Sequence, residues 1–331
     1  MIIRTRAYAR AGLIGNPSDG YYGKTISVIV RNFCAEATCY QTPEMAIVPC
    51  RLDHSTFPSL AALASDVRAN GYYGGVRLIK ATLKRFHDYA VQNGIELEDK
   101  NCTLEYRSNI PLRVGLGGSS AIIIAVLRSL MIFYGVDVPL AQLPNLALSV
   151  EKDELGIGAG LQDRVIQSYE GAVFMDFNRK LMEKQGHGRY VSIDPRRLPP
   201  LFVAYDDGAG EGTEVVHNDL RARWEEGDAQ VHKAMERFAE LAQTAFDLIQ
   251  AGRGAKIGPL MDENFEQRQR IMKLNSRHVQ LVKTGQAVEA HVKYAGSGGA
   301  VIGTYRDEAH YHKIAAAYEA IGAKIVKPEI Q

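Results

Sequence analysis

Apolar positions recur along this chain at two different spacings, and the spacing switches from segment to segment. Residues 25–33 (TISVIVRNF) and 102–108 (CTLEYRS) are rich in β-branched and apolar side chains and are read as strands, with Leu104 and Tyr106 sharing a face. Between them, Val76, Ile79, Leu83, Phe86 and Ala90 recur at steps of three and four within 74–93. That spacing places them on one side of a helix whose task is to cover a sheet. Residues 119–134 (SSAIIIAVLRSLMIFY) are apolar nearly all round, the pattern of a buried helix. A further helix is expected over 140–154 and a strand over 171–177.

The pattern then lapses. Residues 178–199 are polar and end in Pro195, Pro199 and Pro200, where a soft boundary between two lobes, 1–195 and 196–331, is expected. Beyond it an apolar run, Leu201 to Tyr205, precedes a strongly helical region. Val231, Phe238, Ala242, Ala245 and Ile249 fit one helical face, and 259–291 supplies two more helical stretches. Residues 293–305 (KYAGSGGAVIGTY) read as a glycine loop entering a strand, followed by a helix at 308–321 and a short strand at 323–327. The fold class is α+β.

Composition narrows the function. Lysine plus arginine (39) nearly balances aspartate plus glutamate (38), so no global field recruits nucleic acid or an anionic membrane, and any anion site has to be built locally. The first residues lack the apolar run of a signal peptide and no later run is long enough to span a bilayer, so a cytoplasmic protein is expected. Cys34, Cys39, Cys50 and Cys102 form no CxxC pair and are expected as plain thiols rather than as metal ligands with His54. His310 and His312 lack a convincing third partner.

The strongest chemical signal is 111–121, PLRVGLGGSSA, where three glycines and two serines stand between a strand and the most apolar helix. Glycines let a ligand approach the backbone closely, and the first amides of a helix lack internal partners and carry partial positive charge. A polyphosphate is a natural guest there; the plain alternative is a turn with a serine cap. The segment is neither a GxxxxGK[ST] loop nor a GxGxxG with its later acidic residue. It resembles the PxxxGLxSSA signature of the GHMP kinases. Residues 6–23 (RAYARAGLIGNPSDGYYG) resemble the family's opening strand and substrate loop, and 293–300 (KYAGSGGA) its C-terminal glycine motif. Three further stretches, 12–27, 71–78 and 154–164, look most like the branch of the family that phosphorylates D-glucuronate at its anomeric hydroxyl.

The resemblance implies a two-lobed architecture, with an N-terminal lobe like domain 2 of ribosomal protein S5 and a ferredoxin-like C-terminal lobe. ATP and Mg²⁺ are the implied cofactors, and a sugar or sugar acid is the implied partner. ATP phosphates are expected on Gly115, Leu116, Gly117, Gly118, Ser119, Ser120 and Ala121. The metal is expected at the Ser120 hydroxyl and Glu151, with Ser119 able to exchange roles because GLGGSSA is one residue longer than the GLGSSA of mevalonate kinase. Read without the family, Glu151 is a solvated helix residue. Asp163 is expected to accept or orient the acceptor hydroxyl with Arg10 beside it; its plain reading is a capping aspartate. Substrate selection is expected from Asn16, Asp19 and Lys24, with Lys24, Arg10 or Arg164 meeting a substrate carboxylate. Tyr21, Tyr22, Tyr72 and Tyr73 either wall the sugar or simply pack. Gly296, Ser297, Gly298 and Gly299 are expected to buttress the phosphate loop, or to be a tight turn only. The alternatives are another acceptor, such as a heptose phosphate, galactose, fucose or mevalonate, and a non-catalytic sugar or nucleotide sensor.

Overall fold

A computed structural model of the chain describes residues 1–50, 53, 59, 74–208 and 214–331, with only the backbone for 214–219. His54, Tyr72 and Tyr73 lie outside the described residues.

Two long strands organise the N-terminal half. β1 (Ile2–Ile14) and β2 (Lys24–Thr42) pair antiparallel, from Ile2 opposite Tyr40 to Ile14 opposite Ile26. The first half of β1 alternates between exposed and buried positions, whereas residues 9–14 are buried on both faces. A strand covered on both sides is where a charged side chain can be held away from water, and Arg10 sits there. On its other edge β2 pairs with β5 (Ala172–Asp176) through Lys24–Val28 and with β4 (Asn101–Ser108) through Ala35–Thr42. β3 (Ala46–Val48) and β6 (Arg189–Ile193) complete a six-stranded sheet. Residues 31–33 of β2 bulge out of register with β1, and the C-terminal tail fills the gap: the Arg31 amide donates to the Glu329 carbonyl at 2.8 Å.

Helix α1 (Gly75–Gln92) buries Leu78, Ile79, Phe86 and Ala90, largely the face read from the sequence. Helix α2 (Gly118–Tyr134) buries eleven residues and lies across β1 and β2, where Ala7, Ala9, Ala35 and Ala37 keep the sheet surface shallow enough for close approach. Thr5 ties strand to helix by donating its hydroxyl to the Ala125 carbonyl at 2.6 Å. The helix expected over 140–154 is instead α3 (Leu143–Ser149) continued by a wider π-turn, Val150–Glu154. Helix α4 (Leu161–Tyr169) follows. The polar stretch 178–199 holds a short helix, α5 (Arg179–Gln185), and edge strand β6, both outside the expectation because their exposed faces mask the periodicity.

In the C-terminal half, β7 (Leu201–Tyr205), β8 (His291–Tyr294), β9 (Ala300–Thr304) and β10 (Lys324–Val326) form an antiparallel sheet in the order β10-β7-β9-β8. With helices between β7 and β8 and helix α10 (Glu308–Glu319) between β9 and β10, this is the ferredoxin-like arrangement. Between β7 and β8 run α6 (Glu214–Glu225), α7 (Ala229–Gln250), α8 (Gly258–Ile271) and α9 (Ser276–Ala287). Helix α7 is capped by Asp228, which accepts from the amides of Gln230 and Val231. It packs back on β2, and its Phe246 stacks on Phe174 of β5 at 4.2 Å. One apolar cluster therefore runs through both halves, from Ile123 and Val28 to Val203 and Ile302.

Candidate active site

The glycine loop ends in helix α2, whose N-cap is Gly117 in the left-handed region at φ 75°. Among the described residues no side chain caps this helix, so the amides at its start are open to a ligand. A β-carbon on Gly117 would meet Gln167 Nε2 at 3.0 Å and Arg10 Cγ at 3.1 Å, so both the backbone conformation and the packing call for glycine. The loop 296–299 lies directly behind. A β-carbon on Gly296 would sit 2.1 Å from the Gly115 carbonyl oxygen, and one on Gly115 would sit 2.9 Å from the Ser297 amide nitrogen. Gly296→Ala is therefore expected to push the two loops apart and lower kcat/KM for ATP by about 10- to 100-fold. Steady-state kinetics at saturating acceptor measures this.

Arg10 joins three segments. Its Nε and Nη2 donate to the two carboxylate oxygens of Asp163, both at 2.6 Å, in a two-pronged pair. Its Nη1 donates to the carbonyls of Gly115 and, at 3.4 Å, Ala295. The Arg10 amide also donates to the Leu116 carbonyl at 3.0 Å. Asp163 stands in the first turn of α4, but its carboxylate is engaged by Arg10 rather than spent as a cap. Gln167, one turn on, donates to the carbonyls of Gly117 (2.7 Å) and Tyr8 (3.0 Å), fixing α4 against the loop.

Glu151 is 2% exposed, which removes its reading as a solvated helix residue; its neighbours Lys152 and Asp153 are exposed. The π-turn rotates it inward, where it accepts from the Ser119 hydroxyl at 2.8 Å and from Arg164 Nη2. Ser120, the first choice for the metal hydroxyl, faces elsewhere: it is fully buried and donates to the Gly117 carbonyl at 3.1 Å. Ser119 is thus the serine that meets Glu151. Arg164 is likewise buried, and its Nη1 donates to the Gly160 carbonyl at 2.9 Å and lies 3.8 Å from Asp163. Burial, and then Arg10, lower its guanidinium to about 9.

The acceptor loop closes the site from the other side. Asn16 is buried, and its side-chain oxygen accepts from Lys293 Nζ at 2.6 Å. Asn264 of α8 holds the loop from the C-terminal half, accepting from the Gly15 amide at 2.6 Å and donating to the Asn16 carbonyl at 3.1 Å. Asp19 is half-buried and accepts from the Gln162 amide at 3.3 Å, at the start of the helix that bears Asp163. Burial, and then the Asp163 charge, raise its carboxyl to about 6. A folded value above the unfolded one means the folded chain keeps a proton that the unfolded chain has lost, so this group's contribution to stability falls as pH rises from about 4 to about 6. Asp19→Asn is therefore expected to gain stability over wild type at pH 7 relative to pH 4.5, by up to about 2 kcal/mol. Denaturant unfolding at the two pH values measures it. Lys24 is not gathered with these groups: its ammonium donates to Gln243 at 2.8 Å and lies 3.8 Å from Asp176. The rings of Tyr21 and Tyr22 pack toward Trp224, at 5.6 and 6.3 Å.

Two buried cations behind the loops are absent from the sequence reading. Lys293 Nζ donates to the Gly12 carbonyl and the Tyr294 carbonyl as well as to Asn16, each at 2.6 Å. Burial, with Arg268 and Arg10 nearby, pushes its ammonium well below the usual lysine range. Arg268 donates to the carbonyls of Gly296 (2.9 Å) and Ser297 (3.3 Å), and burial lowers it to about 10. Lys293 stands inside the quoted glycine motif, so its position was available as a signal; Arg268 and Asn264 lie in a polar helix whose period marks no site. Arg10, Arg164, Lys293 and Arg268 face Asp163, Glu151 and Asp19 here, a local surplus of positive charge in a chain with almost none overall. Such a surplus suits a polyanionic ligand.

A two-lobed α+β fold with amide-bearing glycine loops and a buried arginine–carboxylate pair is the framework of a small-molecule phosphotransferase. The chain belongs to the GHMP kinase family and is a phosphotransferase with an alcohol group as acceptor. The family's N-terminal domain, described as GHMP kinases N terminal domain, matches residues 77–171. The chain is 40% identical over 306 residues to Glucuronokinase 1 of Arabidopsis thaliana, covering 91% of this chain and 84% of that protein. It is also 40% identical over 308 residues to Probable glucuronokinase 2 of the same plant, with the same coverage. The crystal structure of Lactococcus lactis galactokinase complexed with galactose shares the fold at a TM-score of 0.77 and 17% identity, over 99% of this chain and 93% of that one. Among the described residues no helix is long and apolar enough to cross a membrane.

Proposed function

We propose that the protein is a cytoplasmic, MgATP-dependent kinase that transfers the γ-phosphoryl group to the C1 hydroxyl of D-glucuronate, giving glucuronate 1-phosphate and ADP. The observation that carries the chemistry is the pair formed by Arg10 and Asp163 at the mouth of an uncapped helix start. The choice of acceptor rests on the likeness to two plant glucuronokinases over most of their length. We assign residues 1–195 to the ATP-binding lobe and 196–331 to the second lobe.

In this reading the amides of Gly115 to Ala121 hold the triphosphate, and loop 296–299 keeps them in place. Asp163 accepts the proton of the C1 hydroxyl as that oxygen bonds to the γ-phosphorus, and the bond to the β-bridging oxygen breaks with its electron pair leaving on ADP. Arg10 orients Asp163 through the two-pronged pair. Asn16 and Asp19 position the sugar ring. The Ser119 hydroxyl and the Glu151 carboxylate are both hard oxygen donors in mutual contact, which fits Mg²⁺, an ion that takes one or two protein ligands and keeps the rest as phosphate and water. Bound there, Mg²⁺ neutralises phosphate charge.

Ser119→Ala is therefore expected to raise the Mg²⁺ concentration giving half-maximal rate by about tenfold, because one of two protein ligands is lost. Ser120→Ala should move it by less than about twofold, its hydroxyl being committed to Gly117. A magnesium titration at fixed ATP separates them. The acceptor itself is tested by a panel scored by ADP release: D-glucuronate is expected to give ADP well above background. Release with galactose, fucose, mevalonate or a heptose phosphate, and none with glucuronate, would overturn the substrate.

A further inference from the structure

The glucuronate proposed above differs from a neutral hexose by its carboxylate, and an enzyme that selects it needs a cation with hydrogen bonds to give. The buried and part-buried cations already described can be sorted by what holds them. Arg10 is held by Asp163, and Arg164 by Glu151. Lys293 is saturated by three oxygens, and Arg268 is buried beneath the carbonyls of 296 and 297. Lys24 is turned to Gln243 and Asp176. A substrate carboxylate would have to displace a buried or part-buried hydrogen-bond partner to reach any of these.

Arg221 is different. It stands on α6 and reaches the acceptor loop with a hydrogen bond from Nη1 to the Gly20 carbonyl, 3.1 Å long. Gly20 directly follows Asp19, whose carboxylate meets the start of α4. The carboxylate partner of Arg221 is Glu225, at 3.5 Å, with side chains 43% and 63% exposed. Such a solvated pair is worth little and is exchanged at small cost. The guanidinium also lies 5.2 Å from the centre of the Tyr21 ring and 5.9 Å from that of Trp224. Those rings are 5.6 Å apart and are flat surfaces of the kind that pack against the C–H face of a sugar ring.

We propose that Arg221 is the specificity-determining residue that takes the carboxylate of the acceptor, releasing Glu225 as it does so, with Tyr21 and Trp224 as the adjoining apolar wall. The inference rests on the sugar-acid reading and adds to it the residue that distinguishes acid from neutral sugar. It also gives helix α6 a part in acceptor choice.

The test compares D-glucuronate with D-glucuronamide, in which the carboxylate becomes a neutral carboxamide of nearly the same shape, in wild type, Arg221→Gln and Arg221→Lys. In wild type, kcat/KM should favour the acid over the amide. Arg221→Gln is expected to raise KM for glucuronate by about 10- to 100-fold, the loss of hydrogen bonds to a charged group. KM for glucuronamide and for ATP should move by less than about threefold. Arg221→Lys should recover part of the preference, since charge persists without the two-pronged fork. An equal loss for acid and amide would show that Arg221 only supports the Gly20 turn, and an unchanged KM for glucuronate would exclude contact; either overturns the proposal while leaving the kinase reading intact. A wild-type enzyme inactive on glucuronate but active on a neutral sugar would overturn both.

Discussion

Asp163→Asn is expected to lower kcat by about 10²- to 10⁴-fold while leaving the affinity for ATP within about threefold of wild type. The substitution keeps the size of the side chain and removes the carboxylate proposed to receive the acceptor's proton. In the proposed reading the nucleotide lies on other groups, the amides from Gly115 onward; these are fixed by Gln167, Arg10 and the loop 296–299, so their geometry survives. Single-turnover rates paired with equilibrium ATP binding separate the two effects. Turnover within threefold of wild type would remove Asp163 from the chemistry, and loss of ATP binding in step with turnover would give it a structural role instead.

Arg10→Met should be more damaging still, because it acts on structure and chemistry together. The pair with Asp163 is largely buried, its side chains 7% and 20% exposed, and taking away one partner of a buried pair costs about 3–5 kcal/mol. The variant also loses the ties to Gly115 and Ala295, which join the three motif segments. The denaturant midpoint is expected to drop accordingly, and kcat at a temperature where the variant stays folded should fall at least as far as for Asp163→Asn. Arg10→Lys keeps the charge but cannot span both carboxylate oxygens, so it should recover stability better than turnover. Equal recovery of both would argue that Arg10 is needed only for packing.

Much of this arrangement is legible in the sequence because the N-terminal half writes it in strong patterns. The nearly all-apolar run of α2 and the glycines before it announce a buried helix with an open start. Asp163 and Glu151 become visible once the family resemblance supplies their spacing. Where the reading fell short, the cause is physical. β2 extends nine residues past its expected end because Ala35, Ala37 and Cys39 are small inward residues alternating with polar ones, a weak hydrophobic signal that nevertheless packs tightly against α2. Glu151 faces inward because a π-turn shifts the helix phase, and no periodicity argument based on 3.6 residues foresees that. The exchange of Ser120 for Ser119 has a similar origin: adjacent helical positions point about 100° apart, so a one-residue difference in loop length decides which hydroxyl reaches the carboxylate. Lys293, Arg268 and Asn264 come from elements distant in sequence, and only the packing of the two lobes brings them behind the loops.

The four-cation, three-carboxylate cluster also explains how a nearly neutral chain can hold a polyphosphate. In the proposed reading, selection for anions is local and comes from burying Arg10, Arg164, Arg268 and Lys293 together. Burial first, and then the charge of neighbouring arginines, lowers Arg164 and Lys293.

Phosphorus NMR of the product formed from MgATP and D-glucuronate joins site and acceptor in one reading. A sugar phosphate whose phosphorus couples to the anomeric proton, accumulating in step with ADP and absent with Asp163→Asn, is expected. A phosphate on any other carbon, or ADP released without a sugar phosphate, would contradict transfer to the C1 hydroxyl by this pair of residues.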